Sequence, residues 1–179
     1  ADDAYYGLDA ATGRVLWRDA LDVGPSGFAW TSPLIVNGRA YVGVASDCDN
    51  PSVRGELRAL DLNNGSRLAS QYFVPEGKRG AGIWNSPSLG MDGKDVFIAT
   101  GEDYEGYDGP YNRALISLDP ATLQIKQAHK QGTTDVDGDY GTTPIVFRDN
   151  LGRQLVGANH KNGSFYTYVA GDISGGPIW

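Results

Sequence analysis

Short apolar runs separated by Gly, Asp and Asn fill the chain, and within each run apolar and polar residues alternate at a period of two rather than recurring every third or fourth position. That pattern predicts many short strands and no amphipathic helix. "AYYGLDAATGRVLWR" (4–18), "ELRALDLNNGSRLAS" (56–70) and "ALISLDPATLQIKQA" (114–128) share one plan: an alternating strand ending in Leu-Asp, a turn, and a second strand. A fourth stretch, "SFYTYVAGDISGGPIW" (164–179), is a degenerate version. "ATLQIKQAHKQ" (121–131) comes nearest to a helical pattern, but it follows "ALISLDP" as "ATGRVLW" follows "YYGLDA", so it reads as turn and strand.

The Leu-Asp pairs fall at 8/9, 60/61 and 118/119, spaced 52 and 58. Between them lie strand pairs opened by Ser-Pro or Thr-Pro at 32/33, 86/87 and 143/144, spaced 54 and 57, each joined by an "NG", "DG" or "NLG" turn. The two series interleave, so each period holds four strands. Asn-Gly and Asp-Gly supply the positive φ that tight hairpins need, and each Pro stands where a strand begins and tolerates the missing N–H. Asp9, Asp61 and Asp119 are placed to cap backbone N–H groups, with Gly13 and Gly65 in left-handed positions. Four antiparallel strands repeated at roughly 50 residues describe an all-β fold, a β-propeller. The expected pieces are approximately 1–25, 26–78, 79–133 and 134–179, an incomplete arc of about three to four blades within one domain. A closed ring normally needs four to eight blades, so the arc reads as a fragment of a longer chain.

Composition narrows the partners. With 40% hydrophobic and 21% charged residues the chain can bury an ordinary globular core. No run approaches the roughly 20 apolar residues of a spanning helix, and residues 1–20 lack the pattern of an export signal. A net charge of −7 argues against nucleic acid, whose binding rests on neutralised phosphates. Cys48, the one cysteine, supports neither an internal disulfide nor a thiolate metal site and reads as a free, partly buried thiol.

"YYGLDAATGRVLWR" and "RGELRALDLNNGS" resemble the repeat of the pyrroloquinoline-quinone-type propellers, the quinoprotein dehydrogenase superfamily, and the likeness runs over nearly the whole chain. Outer-membrane assembly scaffolds share that repeat; the inter-blade loops discriminate better. They resemble the polyvinyl-alcohol dehydrogenase-like branch and secreted, cofactor-binding-like propellers. "GIWNSPSL" is similar to the loop whose Trp floors the quinone ring, which implies that Trp84 stacks on the cofactor. "ATGEDY" stands where the family writes "TGN", so Glu102 takes the place of a calcium-binding Asn. "DVDGDYGTTP" resembles the segment of the catalytic Asp, which falls on Asp139, and "ANHKNGSFY" the loop whose Lys or Arg contacts the quinone oxygens, which falls on Lys161. "SDCDNPSVRG" resembles the loop of the metal-binding Glu, near Asn50, so the family's carboxylate and amide would be exchanged between Asn50 and Glu102, with Asp103 as a further oxygen donor. The adjacent cysteine pair that often covers the cofactor is absent.

The resemblance implies oxidation of an alcohol or sugar hydroxyl, small or polymeric, with pyrroloquinoline quinone and Ca2+, a protein electron acceptor, and a periplasmic or extracellular location. Taken residue by residue, blander readings stay open. Trp84 has a repeat counterpart in Trp30, as inter-blade packing would require; Glu102, Asp103 and Glu105 suit a solvated rim; Asp139 suits a turn cap and Lys161 a hairpin turn. On those readings the propeller is a non-catalytic secreted scaffold holding a protein or glycan. The two predict different geometry, because a shared site requires Trp84, Glu102, Asp139 and Lys161 to converge on one hub.

Overall fold

The structure is a computed structural model, and it describes residues 3–24, 26–48, 52–103, 106–132 and 137–179. Fourteen strands lie among the described residues, with one 3-10 turn at Ile173–Gly175. The first sheet is a hairpin of β1 (Ala4–Leu8) and β2 (Val15–Ala20). The second takes β3 (Gly27–Phe28), β4 (Leu34–Val36), β5 (Arg39–Ser46), β6 (Glu56–Asp61) and β7 (Arg67–Tyr72). The third orders β8 (Ser88–Leu89), β9 (Val96–Ala99), β10 (Ala114–Leu118) and β11 (Ile125–Lys130) as an antiparallel meander. The last pairs β12 (Ile145–Arg148), β13 (Gln154–Asn159) and β14 (Phe165–Val169). As the alternation predicts, residues 125–130 form a strand and not a helix.

The Leu-Asp turns close alike. Asp9, Asp61 and Asp119 each donate a backbone N–H across the turn, to Arg14, Ser66 and Gln124. Their Oδ1 atoms cap Thr12, Asn63 and Thr122 N–H groups at 2.7–2.9 Å. Gly13 and Gly65 have φ of 71° and 72°, and Leu123 takes the same left-handed place at 59°. In all three hairpins the register slips one residue before the turn, at Gly7/Leu8, Ala59/Leu60 and Ser117/Leu118.

Strands of the second and third sheets are apolar on both faces, which puts each of those sheets between two neighbours. Val42, Val44 and Leu60 pack on Tyr5 and Leu21 of the first hairpin, whereas Tyr41, Leu57 and Ala59 pack on Val96, Ile98 and Ile116 of the third sheet. From that sheet's other face Phe97, Ala99 and Leu115 meet Val156, Ala158 and Tyr168 of the last. The sheets therefore stack face to face in chain order, and the segments entering their first strands meet at one edge. Ser32 N–H donates to Ser86 Oγ at 2.9 Å, and Ser86 N–H to Thr143 Oγ1 at 3.1 Å, so the three hydroxyl-Pro dipeptides form a ladder along the hub. This is the radial arrangement of a propeller: an open arc of four-stranded antiparallel blades, partial at both ends.

The first strand of the second sheet is split, β3 and β4 pairing with opposite ends of β5, because the Trp30–Pro33 segment leaves the ladder. The third and last sheets repeat the break, with the isolated bridges Gly80–Asp103 and Tyr140–His160 in the place of β3. In the degenerate unit the chain makes a 3-10 turn after β14 and returns, with Thr167 and residues 178–179 exchanging backbone bonds of 2.7 and 2.8 Å.

Candidate functional site

At one end of the stack, a cavity of about 290 Å³ opens where loops of three sheets converge. Trp30 enters from the β3–β4 connection, Ser46 and Cys48 from the end of β5, Gly82 and Trp84 from the segment before β8, Gly101 and Glu102 from the end of β9, Asp139 from the segment before β12, and Lys161 from the β13–β14 turn. Backbone bonds between the segment entering each sheet and the loop at the end of its next strand fix these loops. Gly101 N–H donates to Gly82 O at 2.9 Å, Ala81 N–H to Glu102 O at 2.8 Å, and Lys161 N–H to Asp139 O at 2.8 Å. Buried Asn85 ties the segment after Trp84 to Ala99 O at 2.9 Å.

Asp139 is the buried centre of the polar wall. Its Oδ1 accepts the Glu102 backbone N–H in a short hydrogen bond, and its Oδ2 lies 2.9 Å from Lys161 Nζ. Gly101 makes room for this, since a Cβ there would lie 3.1 Å from Asp139 Oδ1. Burial raises the Asp139 carboxyl above its ordinary value, against the opposing pull of Lys161 and the Glu102 N–H. Burial alone would lower Lys161, but the carboxylates of Asp137 and Asp139 outweigh it and push the ammonium up to about 12. Lys161 Nζ also ion-pairs with Asp137 and stands 5.3 Å from the centre of the Trp84 ring. The Trp84 Nε1 is buried without a hydrogen-bond partner, whereas Trp30 Nε1 donates to Ser46 O at 3.0 Å.

Four of the residues singled out in the sequence, Trp84, Glu102, Asp139 and Lys161, thus line one cavity. Asn50, like Glu105, lies outside the described residues. Asp103 does not line the cavity; Arg113 holds it in an ion pair. Cys48 is exposed rather than partly buried, a correction that follows from its place on the cavity wall at a left-handed turn, φ 50°. Trp30, the repeat counterpart of Trp84, is 52% exposed, stacks on Phe28 at 5.7 Å, and lines the same cavity. Sequence reasoning did not single out Asp137, whose carboxylate lies with those of Glu102 and Asp139 so that all three oxygens fall within 4.8 Å of one another. The "DVDGD" spacing held the signal, because residues two apart on an extended chain can both reach one point. Three carboxylates so placed supply part of the hard oxygen set that Ca2+ takes, two of them also paired with the Lys161 ammonium, and an aromatic ring beside a lysine suits a planar anionic cofactor.

No family model matches the chain. It is 24% identical over 213 residues to a polyvinylalcohol dehydrogenase of Pseudomonas sp, covering 96% of this chain and 33% of that protein. To the quinohemoprotein alcohol dehydrogenase of Comamonas testosteroni it is 24% identical over 207 residues, covering 92% and 29%. The solved structure of a europium-containing methanol dehydrogenase superposes with a TM-score of 0.82 at 20% identity, over 99% of this chain and 38% of that one. The chain has the fold of a pyrroloquinoline-quinone-type propeller. This propeller arc spans about a third of the length of the curated relatives it matches. Among its described residues no helix is long and apolar enough to cross a membrane.

Proposed function

We propose that the cavity is the cofactor and substrate site of a quinoprotein dehydrogenase oxidising an alcohol or sugar hydroxyl, small or polymeric. The observation that carries the proposal is the convergence of Trp84, Glu102, Asp139 and Lys161, with the buried Asp139 carboxylate bonded to Lys161. The likeness to polyvinylalcohol and quinohemoprotein alcohol dehydrogenases supports it.

The residues present fit the group. Trp84 would offer the aromatic face for the quinone ring, and Glu102, with Asn50 and Asp137, oxygen ligands for Ca2+. Bound pyrroloquinoline quinone would supply the two-electron acceptor. Asp139 takes the proton of the substrate hydroxyl, for which its carboxyl must be ionised. Lys161 does two things. It keeps Asp139 charged against the cost of burial, and it holds a positive charge over the site where negative charge would grow on a ring oxygen. Trp30 and Ala45 would form the apolar side of the site. Electrons would leave to a protein acceptor, in the periplasm or outside the cell.

The test is reconstitution of the full-length protein with pyrroloquinoline quinone and Ca2+. A quinone absorbance should appear together with dye-linked alcohol oxidation. Asp139→Asn should retain the absorbance and lower kcat by about 10²–10⁴. If no holoprotein forms at high cofactor concentration, the propeller is a binding scaffold for a protein or glycan.

A further inference from the structure

A second cavity, of about 540 Å³, lies at the same end of the second sheet but shares no lining residue with the first. Its walls are Ser52, Val53 and Arg54 just before β6, the end of β7 at Tyr72, and the turn that carries Glu76, Lys78 and Arg79. On a chain of net charge −7, the described lining of this cleft carries Arg54 and Lys78 beside Glu76, with Arg79 at its edge engaged elsewhere. Arg54 is pre-organised: its Nε donates to Val74 O at 2.8 Å, and its guanidinium lies 3.9 Å from the centre of the Tyr72 ring. That leaves the outer N–H groups of the fork without an acceptor among the described residues. Lys78 is exposed, 5.9 Å from the Tyr107 ring, and among the described residues it meets no carboxylate at ion-pair distance.

We infer that this cleft binds a hydroxylated carboxylate, a sugar acid of the uronate type. A carboxylate matches the planar fork of Arg54 with Lys78 beside it. Glu76 would repel a bare anion, but it accepts hydrogen bonds from ring hydroxyls, and the buried Ser52 hydroxyl and the Tyr72 ring offer the polar and apolar contacts of a sugar face. The volume suits one or two sugar units, within the roughly 300–1,000 Å³ of small-ligand sites. The site stands apart from the quinone reading and does not depend on it.

Titration calorimetry of the full-length protein with D-glucuronate, D-glucose, inorganic phosphate and an oligogalacturonate tests the inference. Glucuronate should bind at least about tenfold more tightly than glucose and weaken as salt rises. Arg54→Gln and Lys78→Gln should each lower its affinity by about tenfold. The exposed Lys78 carries no core contact, so the second variant stays folded and decides the matter if the first does not. Tighter binding of the oligomer would assign the site to acidic polysaccharide; tighter binding of the monomer, to free sugar acid. Equal affinity for glucose, or no effect of either substitution, would overturn the site, and phosphate bound as tightly as glucuronate would overturn the sugar-acid assignment.

Discussion

Asp139 and Lys161 show how one buried contact sets a working charge state. The carboxyl is raised because burial outweighs its partners, so as a base it becomes competent only above the ordinary Asp value of about 3.9. The acid limb of kcat/KM should therefore lie above that value. Lys161→Met, which removes the counter-charge, should move the limb to still higher pH, and a limb that stayed in place would remove Lys161 from the role. Stability carries the same sign. A carboxyl raised on folding holds its proton more tightly in the native state, so stability falls as pH rises from the ordinary value through the raised one. Thermal melts across that window should be flatter for Asp139→Asn. Of the site, the residues that the repeat places at loop positions were legible in sequence. What was not legible is the ion pair of Lys161 with Asp137 and the exposure of Trp30, because both depend on how the loops at the end of one sheet fold over it, which the spacing of strands does not record.

At the scale of the strand and turn, the three Leu-Asp hairpins provide an internal control. Gly13 and Gly65 occupy the left-handed position at no steric cost, while Leu123 occupies it at φ 59° with its side chain fully buried in the core between the second and third sheets. A leucine there exchanges backbone strain, about 1–2 kcal/mol, for burial worth more. Leu123→Ala should destabilise by about 2–5 kcal/mol, since it keeps the strain and loses the contact. Leu123→Gly should cost less than Leu123→Ala, reversing the usual order of these two residues, and urea denaturation of both variants measures the difference. The strand pattern was readable because apolar residues at a period of two must face a neighbour on both sides. The split of β3 from β4 was not, because the apolar pattern does not mark where the Trp-x-Ser-Pro segment leaves the ladder; the third sheet breaks in the same place, with Gly80 bridging Asp103 before the segment and β8 pairing β9 after it. The hydroxyl ladder through Ser32, Ser86 and Thr143 was visible in sequence only as the residues preceding three prolines; its bonds connect positions 54 and 57 apart.

Across the whole molecule, each sheet is held mainly by its neighbours, so stability is close to a sum of sheet interfaces and the weakest should open first. The third sheet is buried on both faces, with Val96, Phe97, Ile98 and Ala99 all inaccessible, whereas the first hairpin leaves Leu8, Val15 and Leu16 exposed. That hairpin is fastened by Tyr5, Leu21 and Trp17, whose Nε1 donates to Leu62 O at 2.8 Å, by Arg67, and above all by Arg58 of the second sheet, 1% exposed. Its guanidinium bonds Asp19 at 2.8 Å, Glu56 at 2.9 Å, and the carbonyls of Ala20 and Leu21 at 2.9 and 2.6 Å. Arg67 reaches Asp19 as well, at 2.5 Å, so the acid keeps one partner if Arg58 is lost, but among the described residues Glu56 keeps only the Ser70 hydroxyl as a side-chain partner. Breaking one side of a buried ion pair costs about 3–5 kcal/mol, most of it from the charge left behind. Arg58→Met should therefore destabilise the protein by about that much, and the loss should be local. Hydrogen exchange should show the β1–β2 amides losing protection while those of β9 and β10 keep theirs. Uniform loss across all sheets would mean that the arc unfolds as one unit and that Arg58 fastens no interface of its own. Arg58→Met combined with Glu56→Leu should recover part of the loss, because it removes the stranded carboxylate together with its partner.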